Sequence, residues 1–395
     1  MKFMAIFGTR PEAIKIIPVI KKLRESGYQV IICVTAQQRE MLDQSLDFFE
    51  IIPDYDLNIM VGCQDLFHVT TRILEELKKI LQEEKPDVVL VQGDTSTAFT
   101  ASLAAFYLQI TIGHIEAGLR THHKYNPFPE EKNRHLISVL TDYHFAPTEL
   151  AKDNLVKEGI PESQIWVTGN TVIDTLLDVI NRQSSAVKQE ELGMYFKERW
   201  KLLLTDDNQK RILVTGHRRE SFGEDFRNIC IALKEIAEKN PDATIIYPVH
   251  LNPNVQKPVY KILGSDLANR IDSAVPKNIF LLEPLKYDHF VYLMSKSYII
   301  MTDSGGIQEE APSLHKPVLV MRDTTERSEG IDANTLRLVG MKKDMIASAA
   351  QQLLDSKDVY GEMSGAINPY GDGKAAGRIV DVLTKNLMSG RNTEK

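Results

Sequence analysis

The clearest pattern along the chain is an alternation of short, almost wholly apolar runs with longer segments whose apolar residues recur every three or four positions. Lys2–Phe7, Val30–Thr35, Val88–Gln92, Thr111–Ile115, His144–Ala146 and Ile165–Thr168 are β-branched or aliphatic runs of strand length. Runs of this kind suit strands buried on both faces, so the pattern predicts βαβ units around a parallel sheet. Between them, Asp65 to Glu84 sets Leu66, Val69, Ile73, Leu77 and Ile80 at helical spacing, with charges on the opposite face. That spacing predicts an amphipathic helix whose work is packing. After a polar, weakly periodic stretch from Arg182 to Gln209 the alternation restarts with Ile212–Thr215, Thr244–Val249, Ile279–Leu282, Tyr298–Thr302 and Val318–Met321.

The restart predicts an α/β chain with two Rossmann-like domains, each built on a parallel sheet. Residues 1–170 form the first and 171–373 the second, and the closing segment 374–395, helical from Lys374 to Leu387, packs back on the first. Doubly wound sheets bind ligands outside the carboxyl ends of their strands, so the chemistry is expected in an interdomain cleft. A length of 395 residues with 43% hydrophobic content suffices for two cores.

Charge narrows the partners. A net charge of −7 disfavours a nucleic-acid surface or a polybasic membrane patch, since both need clustered cations. Any phosphorylated ligand must then be held by a local group of Arg, Lys and His. Cys33, Cys63 and Cys230 are odd in number and lack zinc-ligand spacing, which predicts neither a disulfide framework nor a metal site. The chain opens on a strand rather than a charged leader with an apolar core, and no apolar run approaches the roughly 20 residues that span a bilayer. These features point to the cytoplasm.

Two phosphate-binding motifs are missing: GxGxxG after a strand, and GxxxxGK[ST]. Other strand ends carry the candidate chemistry. Phe7-Gly8-Thr9-Arg10-Pro11-Glu12-Ala13-Ile14-Lys15 leaves the first strand and opens a helix, which brings Arg10 and Lys15 to a helix N-terminus suited to phosphate. Thr302-Asp303-Ser304-Gly305-Gly306-Ile307-Gln308-Glu309-Glu310 is a second strand-to-helix turn. Its small residues let backbone N–H groups and the Ser304 hydroxyl approach a diphosphate, and Glu310 could accept from a ribose diol; an ordinary Ser304 N-cap is the alternative. His217 and Arg218 follow the strand ending at Thr215, and His250 ends the next one, where a structural histidine competes with a ligand contact.

Three carboxylates come from successive loops: Asp94 in Gln92-Gly93-Asp94-Thr95, Glu116 in His114-Ile115-Glu116-Ala117-Gly118, and Glu130 in Pro129-Glu130-Glu131. Capping explains Asp94 and Glu130 as well as catalysis does. It explains Glu116 less readily, among small and apolar neighbours at a strand end. Together they suggest an acid/base apparatus.

Taken in order, these strings resemble the non-hydrolysing UDP-N-acetylglucosamine 2-epimerases. The resemblance runs from Gly8-Thr9-Arg10-Pro11-Glu12 through Gly93-Asp94-Thr95, Glu116-Ala117-Gly118-Leu119-Arg120, Gly169-Asn170-Thr171, Gly216-His217-Arg218-Arg219-Glu220 and Ser304-Gly305-Gly306 to Asn368-Pro369-Tyr370-Gly371. It implies a GT-B-like fold, a homodimer, UDP-N-acetylglucosamine and UDP as ligands, and neither metal nor nicotinamide cofactor. The implied reaction interconverts UDP-N-acetylglucosamine and UDP-N-acetylmannosamine through a 2-acetamidoglucal, supplying surface polysaccharide synthesis of the bacterial type. By the same resemblance Arg10, Lys15 and His217 contact diphosphate or sugar, Ser304, Gly305, Gly306 and Glu310 hold phosphate and ribose, and Phe290 stacks on uracil beside Leu285. Arg218 and His250 accompany them, Arg327 completes the nucleotide pocket, and Asp94, Glu116 and Glu130, with His217, serve catalysis. A second substrate site would fall on Gln37, Gln38 and Gln64. A hydrolysing epimerase and a non-catalytic UDP-sugar sensor are the rival readings.

Overall fold

Strand β1 (Lys2–Phe7) runs through the middle of the first sheet, and every side chain from Phe3 to Phe7 is inaccessible to solvent. The computed structural model describes residues 1–37, 39–60, 65–206, 209–264 and 276–393. Within these residues the chain divides into two compact units, Met1–Thr175 with Tyr370–Lys395, and Leu176–Pro369. The first border falls inside the helix Thr171–Arg182, whereas composition alone puts it ahead of Thr171.

The first unit is a seven-stranded parallel sheet in the order β3-β2-β1-β4-β5-β6-β7. The remaining strands are β2 (Gln29–Val34), β3 (Tyr55–Asp56), β4 (Val88–Gln92), β5 (Thr111–Ile115), β6 (Tyr143–Ala146) and β7 (Ile165–Val167). Alternate residues feed opposite faces: Met4, Ile6, Ile31, Cys33, Val89 and Val91 share one core with the helices Leu66–Glu84 and Ser96–Tyr107. Asp65 caps the first of these helices by accepting from the His68 N–H at 2.8 Å. The closing helix, Ala375–Thr393, packs against the helix Arg10–Glu25. Asp174 fixes its start by accepting from the N–H groups of Ala375 and Ala376, at 3.2 and 2.9 Å.

The second unit repeats the plan with six parallel strands in the order β10-β9-β8-β11-β12-β13. They are β8 (Arg211–Thr215), β9 (Thr244–Pro248), β10 (Ile279–Leu282), β11 (Ile299–Thr302), β12 (Val318–Val320) and β13 (Leu336–Leu338). In each sheet the strand order reverses beside the first strand of its unit, between β1 and β4 and between β8 and β11. A doubly wound sheet opens its ligand crevice at such a reversal. Among the described residues no helix is long and apolar enough to cross a membrane.

Candidate functional site

At the first reversal, the turn after β1 lies against the loop after β4. Gly8 is required there: a Cβ at this position would sit 2.0 Å from Thr35 Oγ1 and 2.6 Å from Thr97 Oγ1, two hydroxyls bonded to each other at 2.8 Å. Glu12, on the first turn of the following helix, ties the two loops. Its carboxyl accepts from the Gly8 N–H at 3.0 Å, from Thr9 Oγ1 at 2.7 Å and from Thr95 Oγ1 at 2.7 Å.

Burial outweighs these donors and raises the Glu12 pKa from 4.5 to about 7. The folded state therefore binds this proton more tightly than the unfolded chain does. Its contribution is fully present below pH 4.5 and is lost as pH rises towards about 7. Comparing the urea stability of wild type and Glu12→Gln across that window should show wild type losing ground by on the order of 3 kcal/mol. A difference that stays constant with pH would remove Glu12 from the titration.

Glu116 leaves β5 with φ +67°, a backbone region that non-glycine residues rarely hold without a local reason. Its neighbours supply one. The carboxylate is 8% exposed, pairs with the Lys15 ammonium, and accepts from Gln92 Nε2 and, at 3.0 Å, from Asn170 Nδ2. Beside it, a Cβ on Gly93 would lie 3.6 Å from Glu116 Oε2. The next residue, Asp94, pairs with Arg134 at 2.7 and 2.8 Å, and its carbonyl accepts from Asn133 Nδ2 at 2.8 Å.

Glu130 opens the helix Glu130–Leu140 that carries Asn133 and Arg134. Burial first, with the Asp94 charge adding to it, raises the Glu130 carboxyl above its ordinary value. Its neighbour Glu131 is fully buried and acts differently, accepting from the N–H groups of Thr121 and His122 at 3.0 and 2.9 Å and from Arg134 at 3.0 Å. Glu131 thereby latches the loop that returns from β5 to the helix. Asp94 and Glu116 thus lie in the loops that leave β4 and β5, with Lys15 paired to Glu116, while Glu130 opens the following helix within reach of the Asp94 charge. Arg10 is the first residue of its helix, with Thr9 as N-cap.

At the second reversal, His217 and Arg218 follow β8 while Asp303 and Ser304 follow β11. Thr215 and Thr302, at the ends of the two strands, share a hydroxyl–hydroxyl bond of 2.6 Å. The His217 ring stacks on that of His250, with centroids 5.3 Å apart and planes 14° from parallel. Ser304 precedes the short helix Gly305–Glu310 and donates its N–H to Thr302 Oγ1 at 2.9 Å. Gly305 packs under Arg327, since a Cβ there would come within 2.8 Å of the guanidinium carbon. The Arg327 guanidinium is held by Glu309 at 2.9 Å and by Glu326, whose own pKa its neighbouring arginines lower to about 2 against the opposing effect of burial.

Glu310 is buried and accepts from the Tyr287 hydroxyl at 2.7 Å. Phe290 is half-buried on the helix Tyr287–Ser295, and Leu285, also half-buried, precedes it. Gln37 accepts from Thr97 Oγ1 at 3.3 Å. Gln38 and Gln64 lie outside the described residues.

Comparison with known proteins gives this arrangement a family. A family model described as UDP-N-acetylglucosamine 2-epimerase matches residues 21–384. A UDP-N-acetylglucosamine 2-epimerase of Escherichia coli K12 is 53% identical over 391 residues, 98% of this chain and all of the relative. The chain belongs to the UDP-N-acetylglucosamine 2-epimerase family.

Solved structures agree with that placement. The Neisseria meningitidis UDP-GlcNAc 2-epimerase bound to UDP-GlcNAc superposes with a TM-score of 0.87 at 49% identity, covering 98% of this chain and 100% of the other. A Methanocaldococcus jannaschii UDP-GlcNAc 2-epimerase in complex with UDP-GlcNAc and UDP gives 0.77 at 36% identity, with the same coverage. Within this 2-epimerase chain the geometry adds residues that the motifs alone leave without a role: Glu12, Gln92, Arg134, Asn170, Tyr287 and Asp303. Glu12, Gln92, Asn170 and Asp303 lie in or beside strand-end motifs, whereas Arg134 and Tyr287 are carried by helices. For the first four, that proximity is the signal by which sequence could have singled them out.

Proposed function

We propose that this protein interconverts UDP-N-acetylglucosamine and UDP-N-acetylmannosamine without hydrolysis. The observation that carries the reading is the Glu116 carboxylate, held by Lys15, Gln92 and Asn170 one loop away from Asp94 and Glu130. In this reading the first unit supplies the acid/base groups and the second holds the nucleotide.

The C2–H of the sugar has no adjoining carbonyl to acidify it. A carboxylate takes that proton while the C1–O bond breaks and UDP departs with the bonding pair, leaving a C1=C2 double bond in 2-acetamidoglucal. Re-addition of the UDP oxygen at C1, with a proton delivered to the other face of C2, completes the inversion. No electrons are gained or lost overall. Two acid/base groups are needed, because one fixed carboxylate does not reach both faces. Glu116, an acceptor among donors, suits removal of the proton. Glu130, whose carboxyl is raised by burial, suits its delivery.

Charge gathering on the leaving diphosphate is stabilised by the backbone N–H groups and hydroxyl of Ser304-Gly305-Gly306, by His217 and Arg218, and by Arg10. Glu310, braced by Tyr287, takes the ribose hydroxyls, and Phe290 and Leu285 lie against uracil beside Arg327. His250 supports the His217 ring.

Proton NMR of UDP-N-acetylglucosamine with the protein in heavy water, with no added cofactor, tests the reading. Deuterium should enter C2 of both epimers, with the nucleotide recovered as UDP-sugar and no net release of UDP. Free N-acetylmannosamine with stoichiometric UDP would identify a hydrolysing enzyme instead. An unexchanged C2 proton would leave a UDP-sugar sensor.

A further inference from the structure

Asp303 has no assigned part in the reading above, although it is fully buried at the end of β11. Its Oδ2 accepts the N–H groups of His217 and Arg218, at 2.6 and 2.8 Å, and so fixes the turn that leaves β8. Its other oxygen, Oδ1, has no hydrogen-bond partner among the described residues and lies 3.4 Å from Nδ1 of His217. A buried carboxylate oxygen without a donor is costly, and a ring N–H turned towards it removes that cost. The stack on His250 restrains the ring plane from a second direction.

We propose that Asp303 is a positioning residue that holds His217 with Nδ1–H directed at Oδ1, so that Nε2 is the ring atom offered to ligand. Nε2 then carries a lone pair when the ring is neutral and an N–H when it is protonated. One side chain serves both loops at the reversal: Asp303 opens the Ser304-Gly305-Gly306 turn and orients the histidine from the neighbouring strand. The catalytic consequence rests on the reading of His217 as a contact to the diphosphate, whereas the tautomer does not.

Long-range nitrogen–proton NMR of histidine-labelled protein, at a pH where the ring is neutral, reads the tautomer directly. The His217 signal is assigned by its disappearance in His217→Gln. The expected result is Nδ1–H with an unprotonated Nε2. An Nε2–H tautomer in wild type overturns the proposal, and that measurement does not depend on any Asp303 variant folding.

Kinetics supply the second arm. Asp303→Asn should lower kcat by about tenfold to ten-thousandfold, the span seen when the carboxylate that orients a histidine is removed, with UDP affinity largely kept. In a His217→Gln background the same substitution should cost little more, because the two residues act as one unit. Losses that multiply across the double variant would overturn the proposal. Unchanged turnover in His217→Gln alone would instead refute the diphosphate role of His217 and leave the tautomer result standing.

Discussion

Glu116→Gln is expected to lower turnover by about a hundred- to ten-thousandfold, the range lost with a general acid or base, while UDP binding stays largely intact. The substitution keeps the shape of the side chain and removes its charge. It also sets donors against donors. In wild type the carboxylate accepts from the Lys15 ammonium and from the amides of Gln92 and Asn170, and the amide half of a glutamine has nothing to accept with. A second expected effect is therefore a loss of stability of about 1–3 kcal/mol, from polar groups left poorly paired in a part-buried site.

The two effects can be separated. Adding Lys15→Met removes one of the donors that the glutamine amide faces, so it should recover part of the lost stability and none of the turnover. Calorimetric titration with UDP, urea unfolding and deuterium entry at C2 form the set of measurements. Normal turnover in Glu116→Gln would refute the assignment of this residue.

Gly118→Ala should give the largest loss of stability, about 3 kcal/mol or more. Gly118 holds φ +90°, and a Cβ would lie 2.1 Å from the carbonyl oxygen and 2.8 Å from the carbonyl carbon of Ala151. Backbone inside the helix Glu149–Lys157 cannot step aside as a flexible side chain would. The Gly118 carbonyl, moreover, accepts from Asn154 Nδ2 at 3.0 Å, so the loop cannot shift without losing that bond. Because Glu116 is two residues away, turnover per folded molecule should fall as well. Gly27→Ala is the matched control. Its φ is +81° but nothing lies within 4 Å of its added carbon, so it should cost only the conformational strain, about 1 kcal/mol. Equal urea midpoints for the two variants would show that the close approach to Ala151 carries no weight.

Most strands were legible because central strands of a parallel sheet are buried on both faces and must be apolar nearly throughout. Two strands escape that logic. β3 is two residues at a sheet edge, Tyr55 and the exposed Asp56; β13 is three residues at the other sheet's edge, with Arg337 in the middle. The polar stretch after Arg182 conceals a helix, Ala186–Trp200, for a related reason. It buries only Leu192, Phe196 and Trp200, a stripe one residue wide at four-residue spacing.

The site divides in the same way. Side chains at strand ends could be picked out because the reversal of a doubly wound sheet puts ligands there. The residues that hold them in place could not be paired from sequence, because their partners are remote along the chain: Asn170 and Glu116 are 54 residues apart, and His217 meets Asp303 across 86. Only the fold closes those distances. Lys15 belongs to both groups: helix-start placement singles it out in the sequence, and its pairing with the Glu116 carboxylate is visible only in the fold.

The first unit is assembled from two separate stretches, Met1–Thr175 and Tyr370–Lys395, with Leu176–Pro369 intervening in the sequence. During translation the second unit emerges complete while the first still lacks its closing helix and the Asp174 cap beneath it, so the order of maturation runs against the order of synthesis. Premature termination after Pro369 would leave the second unit whole and the first unfinished.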